Sequence, residues 1–345
     1  MTHAFLPPSG AANWVACPAW ARMNQQFPDL GDPTAAEEGT QAHAALAAAL
    51  TTGAVPADDA VNEALAYIST LPVKQWDVEK TRHWRRVPEN FGTPDLVGWD
   101  GVHLYVVDYK HGHGYVEHEN NHQLVNYAAM VLEDVPAEFK ARVICHLIIV
   151  QPRCYKAEAA REWVVSATDL RGPINILTNQ AGLALQENPP ARTGPQCLHC
   201  NGRHACATLR NATSAAIDFS GVARASVPTE AEAGAELRLV REALDRLKAI
   251  ESGLTEQVAH HIKSGARVPG WSLQAKPGRE DWKVPPESVL ALGVPAKPPV
   301  PVTPNQARKA GLPAEIVALM SERKNTAPEL VRSNPKEIFK WLTPL

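Results

Sequence analysis
The residue pattern predicts an α/β protein in the α+β sense: one mixed sheet, flanking helices and a helical C-terminal tail. Three observations carry this. An alanine-rich helical stretch precedes a run of short alternating segments between about 75 and 110. Within that run Asp100-Gly101 separates two alternating stretches, which is a hairpin signal. The apolar segment Arg142 to Gln151 then reads as a buried strand lying between two helical stretches.

Taken in order, Thr34-Ala-Ala-Glu37 has the form of a capping box. It opens a helix that carries His43 and ends near Thr52. Strands follow to about 110, then a helix over about 118–133, the strand 142–151, a short strand near Trp163 and a helix over about 168–187. A Pro/Gly-flanked loop over 189–210 holds three cysteines. Thr229 to Ser264 has the spacing of a long charged amphipathic helix; a proline-rich stretch over 296–304 and a short helical tail complete the chain. The implied division is a catalytic-type domain over 1–210, a long helix and connecting segment over 211–295, and a linker with a small tail over 296–345.

Hydrophobic residues make up 45 % and charged residues 21 % of the 345, with a net charge of −3. That is a globular composition, and it excludes a protein that binds nucleic acid through its bulk charge. Any phosphate contact must come from a local basic patch or a bound metal. The opening residues lack a basic segment followed by an apolar run, and no stretch reaches the roughly 18 apolar residues of a membrane span. The expectation is a cytoplasmic protein with no membrane partner. Six cysteines are too few for a disulfide scaffold, so a clustered set points to metal.

The segment Gly92 to Gly112 carries the chemistry. With Asp100-Gly101 as a two-residue turn, Trp99 pairs with Val102 and Asp95 falls opposite Val106. Strand side chains alternate, so Asp95, Asp108 and Lys110 share one face, with Asp95 diagonal to Asp108. Two carboxylates so placed suit Mg²⁺ or Mn²⁺, hard ions that take oxygen ligands. Such an ion activates water and neutralises charge building on a phosphodiester, and Lys110 would add to that neutralisation. On the next helix Gln123 and Tyr127, four residues apart, share a face.

Pro94-Asp95 followed, after twelve intervening residues, by Asp108-Tyr109-Lys110 resembles the motif of the PD-(D/E)XK nuclease superfamily. Gln123 and Tyr127 match the Q-x3-Y motif of its RecB-type branch, and His43, within Glu38 to His43, matches the upstream histidine that helps bind metal there. The resemblance implies a restriction-endonuclease-like core in which Asp95, Asp108, Lys110, Gln123 and Tyr127 are catalytic and His43, Asp95 and Asp108 hold the metal. Glu79 is a further candidate carboxylate on the preceding strand.

Cys197, Cys200 and Cys206 give C-x2-C-x5-C, and Cys17 lies far upstream. Four thiolates suit either a structural zinc, with His199 or His204 as alternative ligands, or a [4Fe–4S] cluster. The distribution, one cysteine before the histidine motif and three after the Q-x3-Y helix, is similar to the AddB-like and CRISPR-associated iron–sulfur nucleases. It implies a structural cluster closing the ends of the domain. Cys145, in an apolar strand, reads as an inert buried thiol.

Ser9 to Pro18, Glu38-Gly39-Thr40, Gln151-Pro152-Arg153 and the cysteine loop further resemble a phage- and prophage-encoded family catalogued as a domain of unknown function. That resemblance implies DNA as substrate, end-directed exonuclease action in recombination and a single-strand annealing protein as partner. Arg82, Arg85 and Arg86, interleaved with His83 and Trp84, are the candidate phosphate track. His111, His113, His118 and His122 form a second polar stretch beside the catalytic strand. The competing readings are a non-catalytic DNA-binding or assembly protein that keeps the fold and cluster, and a zinc-binding interaction module.

Overall fold
The computed structural model describes residues 4–154, 156–220, 229–275, 277–294, 296–297, 300–301, 304–309, 311–325 and 329–332. The chain divides into two compact units, Met1–Gly253 and Leu254–Leu345, whereas the sequence suggested breaks after 210 and 295.

The first unit is a mixed α/β layer structure built on a five-stranded sheet in the order β1-β4-β5-β6-β7. Its strands are β1 (Trp76–Val78), β4 (Leu96–Trp99), β5 (His103–Tyr109), β6 (Ile144–Val150) and β7 (Ala160–Ser166). A short separate ribbon pairs β2 (Arg82–His83) with β3 (Phe91–Gly92). Strands β5 and β6 are parallel and the other pairings antiparallel. A parallel pair needs a crossover, supplied here by α5 (His122–Glu133) and the short α6 (Ala137–Lys140).

Both faces of the sheet are covered, so β5 is apolar on both sides and its burial alternates between two cores. Leu104 and Val106 face a core shared with α1 (Ala11–Ala16), α5 and α7 (Arg171–Ala184), which includes Trp14, Leu124 and Leu177. Tyr105, Val107 and Tyr109 face the core under α3 (Thr34–Thr52) and α4 (Asp59–Ile68), with Leu46, Val61 and Ile68. Helix α2 (Trp20–Gln26) connects the first helices to the cysteine loop.

Local chemistry sets the helix starts. Asn121 accepts from the backbone N–H groups of Gln123 and Leu124 to open α5, and Asp58 does the same for α4. Helix α3 begins at Thr34 as expected, but the capping box does not form: Asp32 takes both the Thr34 N–H (3.0 Å) and its hydroxyl (2.6 Å). An acid two residues earlier outcompetes Glu37 for those donors.

The hairpin turn is also displaced by one residue. Asp100 N–H donates to His103 carbonyl at 3.2 Å, so Gly101 and Val102 form the turn centre, and the positive φ of 93° falls on Gly101. The Asp100 carboxylate binds the N–H groups of Val102 and His103, holding Asp100 at the turn's first corner. The register becomes Trp99 with Leu104 and Val97 with Val106.

Gly98 is buried against the chain leading into β1: a Cβ there would stand 2.6 Å from Val73 Cγ1 and 2.8 Å from Trp76 Cζ3. Gly98→Ala is therefore expected to cost about 1–3 kcal/mol by overpacking. Urea unfolding would read this, and a midpoint equal to the parent's would contradict the packing described.

Helix α8 (Ala207–Ser220), absent from the sequence expectation, follows the cysteine loop, and α9 (Glu230–Lys263) is the expected long helix. Thr229 and Glu232 form a reciprocal capping box at its start. In the second unit Trp271–Gln274 pairs with Glu329–Arg332, and Pro277–Trp282 with Ser321–Asn325, so the tail is not simply helical. The strands Pro277–Trp282 and Ser321–Asn325 are polar, with no apolar period to announce them, and all four are short segments paired with distant partners. The tail's last residues, 333–345, and part of the proline-rich stretch lie outside the described residues.

Candidate active site
The parallel strands β5 and β6 end together, with Lys110 N–H donating to Val150 carbonyl at 2.8 Å. Chain reversal after parallel strands leaves a crevice at their carboxyl ends, the usual ligand position in open α/β sheets. Here the register, continued by one residue, sets Asp95 opposite Asp108 rather than Val106. The turn shift moved the pairing by two residues, so the shared face of Asp95, Asp108 and Lys110 survives and the carboxylates come closer.

Asp95 is held from two sides: its Oδ1 lies 2.8 Å from His43 Nδ1, and its Oδ2 accepts from Tyr109 N–H at 2.7 Å. His43 comes from α3 on one face of the sheet, and its ring meets Tyr109 edge-on at 5.4 Å. Gln123 comes from α5 on the other face. Its Nε2 donates to Asp108 Oδ1 at 2.7 Å and its Oε1 accepts from Lys110 Nζ at 2.9 Å. Tyr127, one turn on, donates its hydroxyl to the Thr93 carbonyl at 3.2 Å, which fixes the chain just before Pro94-Asp95.

Lys110 Nζ stands 2.8 Å from Asp108 Oδ2. That approach is oblique, and the buried oxygen has no well-aligned hydrogen bond. Burial raises the Asp108 carboxyl above the usual carboxylate range, opposed by Lys110 and reinforced by Asp95. Burial alone would lower the Lys110 ammonium, but Asp108 outweighs it and the group stays charged. For His43 burial again works downward, and the bond to Asp95 wins, raising it.

An under-bonded buried carboxylate oxygen, a second carboxylate and an imidazole are a donor set that fits a hard divalent cation. His43, Asp95 and Asp108 are the residues that would hold it. As they stand these groups are ion pairs, and among the described residues no group of three or more His, Cys, Asp or Glu side chains is placed to hold a metal ion. Glu79, at φ 45°, donates its N–H to Asp95 carbonyl at 2.9 Å and lines a narrow crevice with His43 and Asp95. Its side chain is exposed.

The arginine run is tied up in ion pairs, and two of its three members lie away from this site. Arg82 pairs with Asp77 at 2.5 Å, Arg85 with Asp134 at 2.9 Å, and Arg85 and Arg86 flank Glu133 at the opposite end of α5 from Gln123. The histidines after Lys110 divide. His111 and His113 bind Arg153, His118 pairs with Glu117 at 2.9 Å, and His122 opens α5. Burial and Arg153 hold His111 below the ordinary imidazole value.

Sequence reading assigned no role to Gln151 and Arg161, both buried. Gln151 Nε2 donates to the carbonyls of Gly112 and Gly114 at 2.8 and 2.6 Å, and its Oε1 accepts from Val116 N–H and Arg161. This clamp shapes the loop leaving Lys110. The hints in the chain are a polar residue ending an apolar strand and the place of Gln151 in the Gln151-Pro152-Arg153 segment.

Cys17, Cys197, Cys200 and Cys206 are near one another, and Cys145 is not among them. Burial pushes the Cys200 thiol up to about 11, and nearby Cys17, Cys206 and Cys197 push in the same direction. Burial likewise raises Cys197, with Cys17 and Cys206 close enough to add to it. All six thiols are free. Cys17 from one end of the unit thus lies near enough to Cys197, Cys200 and Cys206 at the other to act on them, and thiolates are the ligands that zinc and iron–sulfur sites use. Chain contacts hold the same ends: Trp20 Nε1 donates to His199 carbonyl at 3.0 Å, and Asn201 N–H to Asn24 Oδ1 at 2.8 Å. His204 packs its ring edge-on against Phe27. Cys145 stays apart, its thiol pushed to about 12 by burial in β6. No helix among the described residues is long and apolar enough to cross a membrane.

The sequence model of a family described as "Protein of unknown function (DUF2800)" matches residues 3–82 and 78–285, and the chain belongs to that family.

Proposed function
We propose that this chain is a metal-dependent DNA nuclease of the PD-(D/E)XK type, in the RecB/AddB-like iron–sulfur branch, acting at DNA ends. The observation that carries the reading is the meeting at one sheet end of two bonded groups, His43 with Asp95 and Gln123 with Asp108 and Lys110, each held by contacts of 2.7 to 2.9 Å. Such a concentration of buried charge is costly to fold around and is typical of sites that do chemistry.

His43, Asp95 and Asp108 would hold Mg²⁺ or Mn²⁺, which when bound supplies an activated water and charge neutralisation at the phosphodiester. Lys110, kept protonated by Asp108, presents a fixed cation where negative charge grows in the transition state. Gln123 orients both Asp108 and Lys110 through the two ends of one amide, and Tyr127 holds the chain that delivers Asp95. Cys17, Cys197, Cys200 and Cys206 would hold a structural [4Fe–4S] cluster. Linear ends as substrate would suit phage-type recombination beside a single-strand annealing protein.

The test is to incubate anaerobically purified protein with end-labelled linear DNA and with circular DNA, adding Mg²⁺ or Mn²⁺. Progressive loss of linear DNA alone is expected. No cleavage of either form would overturn the reading. A second expectation concerns Lys110→Ala: turnover should fall by about 100-fold or more while DNA affinity changes by less than about threefold, because its charge matters most in the transition state. Equal losses in turnover and affinity would make Lys110 a simple phosphate contact.

A further inference from the structure
We propose that Arg153 anchors a backbone phosphate of the DNA strand beside the candidate metal site, its guanidinium presented by the imidazoles of His111 and His113. The proposal rests on the nuclease reading and adds a binding residue to it. Arg153 follows the end of β6 and so lies at the same sheet end as Lys110. A chain of contacts runs from the site to it: the His43 ring meets Tyr109 at 5.4 Å, Tyr109 Oη lies 2.9 Å from His111 Nδ1, and His111 Nε2 lies 2.5 Å from Arg153 Nη1. On the other fork of the guanidinium, Nη2 lies 2.8 Å from His113 Nε2.

The protons in this chain follow from donor logic. Arginine has only donors, so both imidazoles must accept at Nε2 and carry their proton on Nδ1. That places His113 Nδ1–H on the Arg153 carbonyl at 3.0 Å and His111 Nδ1–H on the Tyr109 oxygen, so that each of these four bonds has one donor and one acceptor. Both histidines are thus neutral partners. They fix the planar fork without cancelling its charge, as a carboxylate would.

The nearest acids are loose. Glu38 Oε2 stands 3.9 Å from Arg153 Nη1 on a side chain 58 % exposed, and Asp58 Oδ2 stands 3.9 Å from His111 on one 47 % exposed. Exposed contacts of that kind are worth little and yield readily to a better anion. A clamp on the loop is the alternative role, but Gln151 already bonds Gly112, Gly114 and Val116 from beneath. A guanidinium held rigid, 29 % exposed and still cationic matches the bidentate geometry of a phosphate.

The experiment measures binding of a fluorescein-labelled duplex to the full chain in metal-free buffer over a range of NaCl concentrations. Wild type is compared with Arg153→Gln and Arg153→Lys, with thermal unfolding of each. One lost duplex phosphate contact should make the slope of log affinity against log salt shallower by about 0.9 in Arg153→Gln, and Arg153→Lys should restore it. An unchanged slope in Arg153→Gln overturns the anchor, and so does an unfolded Arg153→Gln protein or a lysine variant as impaired as the glutamine one. If wild type cuts DNA and the slope is unchanged, the anchor alone fails. If wild type neither binds nor cuts DNA, the nuclease reading fails with it.

Discussion

Replacing Asp108 with Asn is expected to lower metal-dependent cleavage by about three orders of magnitude, the upper scale for losing one group that stabilises a transition state. Asparagine keeps the volume and its Oδ1 can still accept from Gln123, although its amide then faces the Lys110 ammonium. What it removes is the charge that the Lys110 ammonium and a divalent cation would share. A thermal measurement separates this from misfolding. Wild type should gain stability on adding Mg²⁺ or Mn²⁺: at about 100-fold excess over Kd, binding to the folded state alone contributes about 2.7 kcal/mol, a rise of about 5–10 °C. Asp108→Asn should lose that rise while its metal-free melting stays sharp. Turnover retained in the variant would remove Asp108 from the active site, and a retained metal-induced rise would place the ion elsewhere.

The cysteine set carries the second large effect. Cys17 and Cys197 converge although about 180 residues separate them, and a bond network closing so long a loop contributes about 5 kcal/mol in the chain-entropy model. Anaerobic protein is expected to contain iron and sulfide. Cys17→Ala should lose both and become as protease-sensitive as Cys200→Ala, because either change opens the same closure. Cys145→Ala should keep its iron, since that thiol is sealed inside β6. The bonds from Trp20 and Asn24 to the cysteine loop remain in every variant, so the ends loosen rather than separate. Stoichiometric zinc without iron would replace the cluster with a structural zinc. Normal iron in Cys17→Ala would break the proposed link between the two ends.

Features that obey a short period or a fixed spacing are legible in the residues alone. The alternation along β5 put Asp108 and Lys110 on one face, the helical repeat aligned Gln123 with Tyr127, and the long helix Glu230–Lys263 was legible from its own amphipathic pattern. Even the misplaced hairpin turn left the face of Asp95 correct, because a shift of two residues preserves a period of two. Tertiary structure decided whatever depends on partners distant in the chain. Only packing brings His43 from one face of the sheet and Gln123 from the other to the same strand ends, whereas the start of α3 was decided locally, by Asp32 two residues before Thr34. The Gln151 clamp and the presentation of Arg153 arise from packing too, as do the ion pairs that hold Arg85 and Arg86 at the far end of α5. A charged side chain goes to the strongest counter-charge within reach, and which groups are within reach is settled by long-range strand pairing and helix packing.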